Sequence, residues 1–137
     1  MHMFFRIAVA IALAVPACAF AQTPKKAVPP PGLQAEFDSF IVKFRAAVKA
    51  NDSAAVAGMT HLPFQQDQSF RDAALFRAKA YPTIFTAKNR ACLQRKKAVY
   101  DRDGQGTDNY FVFCGEDIFV FAKTRSGFLF KEIGTND

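Results

Sequence analysis

The sequence predicts an α+β domain in which N-terminal helices pack on a curved antiparallel sheet. Three observations lead there. Apolar residues recur at helical spacing over residues 33–50. After Lys97 the apolar period changes to two. Glycine-bearing turns separate the period-two segments, as an antiparallel meander needs.

Leu33, Phe37, Phe40, Ile41, Phe44, Ala47 and Val48 form one stripe, predicting a helix from Leu33 to Ala50. Acids lie near its start and bases near its end, as the helix dipole favours. Asn51-Asp52 ends it, and Asp52 or Ser53 can cap a second helix over Ala54 to Met59. Thr60 to Phe64 reads as a short edge strand stopped by Pro63, and Gln65 to Gln68 as a polar loop. Ser69, with Asp72 three residues on, reads as a helix start, and Ala73 to Ala80 continues it. Pro82 opens another helical turn, after which Ile84, Phe85, Ala91 and Cys92 share a face. Arg90, Arg95, Lys96 and Lys97 make a basic, solvated edge.

Four strands follow: Ala98 to Arg102, Tyr110 to Cys114, Ile118 to Lys123 and Phe128 to Ile133. Asp103-Gly104-Gln105-Gly106 is a turn, and Arg125-Ser126-Gly127 a hairpin connection with glycine at the left-handed position. Both faces of the strands are apolar, so the sheet is expected to be covered on one side and to curl on the other.

The N-terminus carries a targeting signal. Arg6 precedes an uncharged run, Ile7 to Val15, too short for the about 20 residues that span a bilayer. Pro16 and Ala19-Phe20-Ala21 follow, which places a signal-peptidase cut between Ala21 and Gln22. Acylation of Cys18, giving a lipoprotein, is the competing reading. The expected organisation is a signal peptide (1–21), a Pro-rich linker (22–32) and one domain (33–137). The mature protein is then periplasmic or secreted.

Export shapes the rest. The net charge is +6, expected to serve a well-solvated surface; in an envelope such charge otherwise meets anionic lipid, polysaccharide or acidic protein rather than nucleic acid. Cys92 and Cys114 remain as an even pair in an oxidising compartment, so a disulfide between them is expected to pin a helix to the sheet. His61 is then the only histidine of the mature chain, too few for an ordinary zinc site, and neither a metal nor another cofactor is expected. Asp101, Asp103 and Asp108 flank two glycines but lack the order of a calcium loop and read as turn formers, as do Glu116 and Asp117.

The helix FDSFIVKFRAAV, the AND turn into SAAVAGM, LPF, and the strands NYFVFC, DIFVFA and FLFKEI together resemble the nuclear transport factor two-like superfamily. More narrowly, the text is similar to small exported bacterial members of unassigned function. The resemblance covers most of Leu33 to Ile133 and implies a cone-shaped α+β fold. Enzymes of that superfamily place Asp, His and Tyr inside the cone. Here the strands offer mostly phenylalanine, so no catalytic set carries over.

A binding module is therefore the expected function. Tyr110, Phe111, Phe113, Phe119, Phe121, Phe130 and Glu132 are the candidate pocket residues, with Phe128, Phe130 and Glu132 sharing a face. The expected partner is an apolar ligand or an envelope protein, with homodimerisation through the sheet as a further use of that surface. An envelope inhibitor or immunity-type protein is one alternative. A small-molecule isomerase or dehydratase using the cone, with His61 or Glu132 as its acid or base, is the other.

Overall fold

The first helix begins just after the Pro-rich segment, behind a turn at residues 31–32. Gly32 sits at φ 83°, a left-handed conformation that glycine adopts without strain, and α1 (Leu33–Lys49) follows. This is a computed structural model that describes Ala14 and residues 26–137. The expected cleavage site at Ala21–Gln22 and Cys18 lie outside the described residues. On α1 the stripe residues are buried, with Phe40 half-buried. Asp52 caps α2 (Ser53–Gly58), its carboxylate accepting from the Ala55 amide at 3.0 Å.

The next segment departs from the sequence reading. The edge strand expected over Thr60 to Phe64 shrinks to one parallel bridge, Thr60 to Phe130. The His61 amide donates to Phe130 O and the Phe130 amide to Met59 O, both at 2.8 Å. Pro63 has no N–H to extend a ladder, and the chain turns into tight helical turns at Phe64–Gln66 and Gln68–Phe70. The helix start expected at Ser69 falls at Asp72, which accepts from the Leu75 amide at 2.9 Å.

From there a helical run comprises α3 (Ala73–Leu75), a π-helical stretch (Phe76–Ala80) and α4 (Tyr81–Ile84). Pro82 cannot donate, and its ring would crowd the carbonyl one turn back. The wider turn preceding it, with Tyr81 N donating to Phe76 O, accommodates the ring. The backbone then breaks at Phe85 (ψ 58°), and Thr86 caps α5 (Ala87–Arg95). That break takes Ala91 off the face it was expected to share with Phe85. Ala91 is exposed, and α5 buries Asn89, Cys92 and Leu93 instead.

The four strands form an antiparallel meander, β1 (Val99–Arg102), β2 (Asp108–Cys114), β3 (Asp117–Thr124) and β4 (Gly127–Thr135), in that spatial order. Helices followed by this sheet make the domain α+β. Gly127, at φ 100°, closes the last hairpin as expected. The helices cover one face of the sheet. Phe37 stacks on Tyr110 at 3.7 Å between ring centroids, and Phe44 meets Phe121 edge-on at 4.9 Å. The Sγ atoms of Cys92 and Cys114 lie at disulfide distance, 2.07 Å, joining α5 to β2. Beside them, buried Asn89 donates to Asp117 Oδ2 and to Ile84 O, both at 2.8 Å.

Candidate functional site

The space between helices and sheet is filled. Phe119, Phe121 and Phe130 are each 0 % exposed and pack with Phe44 and Phe85. These expected pocket residues are core. Phe111 and Phe113 are not pocket residues either. Side chains alternate along β2, so the burial of Tyr110, Val112 and Cys114 turns Phe111 and Phe113 to the opposite face.

Glu132 is displaced by one residue. β4 pairs Phe121 with Phe130 but Val120 with Glu132, so Lys131 is an extra residue in the ladder. Such a bulge reverses the alternation beyond it. Glu132 therefore leaves the face of Phe128 and Phe130 and is exposed, while Ile133 takes the inner position opposite Phe119. The outer sheet face, with Phe113 42 % and Val99 39 % exposed, has half-buried Phe111, Ile118 and Leu129 beside them.

Among the described residues, two of the concavities lie elsewhere. The larger is a groove of about 790 Å³ between α1, β1 and the segment Lys26–Pro29. Its floor is apolar and aromatic, from Phe37 and Ile41 of α1, Ala98, and Tyr100 and Tyr110 of the sheet. Of the expected pocket residues, Tyr110 alone lines it. Its hydroxyl donates to Gln34 Oε1, and Gln34 Nε2 donates to Asp38 Oδ1, both at 2.9 Å. Burial, then the charges of Asp38 and Asp108, raise the Tyr110 pKa above its ordinary value. Tyr100 donates to Asp108 Oδ1 at 2.5 Å, and that bond is the main reason its pKa is raised to about 12.

Five bases line the groove: Lys26, Arg45, Arg95, Lys96 and Lys97. Arg45 is held in place, its Nε donating to Leu93 O at 2.9 Å and its Nη2 to Lys96 O at 2.7 Å. Gln94 returns the contact to Arg45 O at 2.9 Å, so α1 and the end of α5 clamp each other. Neither Arg45 bond involves Nη1. Among the described residues, none of these bases is ion-paired with a carboxylate. The basic edge at 95–97 is legible in the sequence; its proximity to Arg45 and Tyr110 is not. That juxtaposition depends on how α1 packs against the end of α5 and against Tyr110 of β2.

The smaller pocket, about 280 Å³, is lined by His61, Gln65, Gln66, Lys131 and Glu132. It brings together the two residues considered as acid or base. Gln65 and Gln66 hold left-handed backbone (φ 54° and 58°), and Gln65 Oε1 accepts from the Ile133 amide at 2.9 Å. His61 and Glu132 are both exposed.

The acidic loops bind their own backbone. Asp103 Oδ1 accepts from the Gln105 and Thr107 amides at 2.9 Å, which holds its carboxyl below the ordinary value. Asp101 accepts from the Arg102 amide at 2.8 Å. The Glu116 carbonyl receives Asn136 N. Among the described residues no group of three or more His, Cys, Asp or Glu is placed to hold a metal, and no helix is long and apolar enough to cross a membrane. No protein family, curated protein or solved structure was found to match the chain.

Proposed function

We propose that the chain is an exported ligand-binding domain whose site is the groove between α1 and β1. The observation that carries this reading is where the free volume lies. Phenylalanines fill the interior, whereas about 790 Å³ remains beside Phe37, Ile41, Tyr100 and Tyr110. That volume is in the range of small-molecule sites, and the groove joins an apolar floor to a strongly basic lining. The helix order and the four-strand meander support a cone-type, nuclear transport factor two-like architecture with a packed interior. Export is supported by the leader-like N-terminal sequence and by the cysteine pair at disulfide distance.

N-phenylnaphthylamine, an uncharged fluorophore that brightens in apolar surroundings, tests the groove. It should bind the native protein, and Ala98→Trp, which narrows the floor, should weaken binding at least tenfold while leaving the fold intact by circular dichroism. Undiminished binding by a folded Ala98→Trp variant would remove the groove as the site.

A second reading, an enzyme, draws on the meeting of His61 and Glu132 in one polar pocket. It does not use the filled interior.

A further inference from the structure

We propose that the groove takes an elongate, single-chain amphiphile with one anionic head, a carboxylate or a phosphate. This rests on the groove being the binding site and adds the ligand's chemistry and direction.

The direction follows from α1. Gln34, Asp38, Ile41 and Arg45 follow one another along the groove, a span of about 16 Å at 1.5 Å per residue. The two ends differ in charge. At the first, Tyr110, Gln34 and Asp38 form a hydrogen-bonded chain that ends on a carboxylate. With Lys26, among the described residues, the one base of the groove outside the α1–α5 junction, this end is less favourable to an anion than the second. At the second, Arg45 is fixed by two carbonyls of the α5 end, and Lys96 and Lys97 adjoin it. The charge is preorganised, unneutralised by any described carboxylate, and still has Nη1 to donate. Between the ends the floor is apolar. A head at Arg45 and Lys96 with a chain running toward Tyr110 satisfies both ends.

The apolar floor also decides against a free inorganic anion, which would leave most of the groove unused. Its length along α1 favours a monomeric amphiphile over a membrane surface, which would need no such channel.

The test is calorimetric titration of the protein recovered from the producing cell. The probes are dodecanoate, dodecyl phosphate and dodecanol as monomers, and vesicles containing phosphatidylglycerol. Dodecanoate or dodecyl phosphate should bind at least tenfold more tightly than dodecanol, and added salt should narrow the gap. The double variant Lys96→Gln/Lys97→Gln alters only exposed side chains. Arg45 remains, so the variant should narrow the gap between anion and dodecanol by about threefold or more. Equal affinity for anion and alcohol in the native protein would overturn the ligand class while sparing the groove. Undiminished anion binding by the folded double variant would do the same. Binding to vesicles without binding of any monomer would reassign the basic end to a membrane surface. If no probe binds, N-phenylnaphthylamine included, the groove reading falls as well.

Discussion

Tyr100 illustrates how a single side chain takes its properties from a neighbour on the adjoining strand. The sequence marks it as an aromatic on a strand; only the pairing of β1 with β2 sets its hydroxyl against Asp108. The phenol is the donor, so losing its proton removes the bond and places a phenolate beside a carboxylate. The folded pKa, about 12, lies above the ordinary 10.0. Stability from this bond is therefore complete below pH 10 and is lost as pH rises from there toward 12. Asp108→Asn should move the Tyr100 titration back toward 10.0, read by ultraviolet absorbance. Tyr81 and Tyr110, raised first by burial, should move less. An unchanged highest-titrating tyrosine would contradict the assignment.

At the scale of elements, α5 is tied to its surroundings by more than packing. Cys92 reaches β2, Asn89 reaches Asp117 at the start of β3, and Arg45 and Gln94 lock its far end to α1. Helix α5 has a short buried face and an otherwise polar surface, so cross-links matter more to it than to α1. The cysteines are 22 residues apart, for which the chain-entropy model gives about 3 kcal/mol of stabilisation. Reduction should lower stability to urea by about that amount, with α5 amides losing exchange protection before those of β3. In the recovered protein, peptide mapping should find neither Cys92 nor Cys114 alkylated without reductant, and an intact mass beginning at Gln22. Two labelled cysteines would rule out the bond, and a lipid on Cys18 would favour the lipoprotein.

Across the whole molecule, the two faces of the sheet have opposite roles. Phe130 is 0 % exposed and contacts Phe44, Phe64, Phe85, Phe119 and Phe121. Phe130→Ala should cost about 3–5 kcal/mol, measured by urea denaturation. Phe113, 42 % exposed on the uncovered face, should tolerate Phe113→Asp with a smaller loss, about 1–2 kcal/mol. Any self-association through that face should weaken in the same variant, read by light scattering. If Phe113→Asp unfolds the protein, the assignment of faces is wrong. Substituting Phe119 or Phe121 would not probe a surface, because both belong to the core.

The sequence by itself determined the elements that local chemistry controls. Helical spacing located α1, the Asp52 cap placed α2, period-two alternation gave the strands, and Gly127 marked the last hairpin. It also singled out Cys92 and Cys114, as the one pair left once the proposed leader with Cys18 is removed. It could not determine which sheet face is inside where both are apolar. That was decided by α1 and α5 packing against Tyr110, Val112 and Phe121 rather than Phe111 and Phe113. The bulge at Lys131 has no residue signature in this stretch, yet it turned Glu132 outward, beside His61. The groove was equally hidden. Its parts lie at residues 26–29, 34–45, 95–100 and 110, and only the packing of α1 on the end of α5 and on β2 brings those distant charges and rings together.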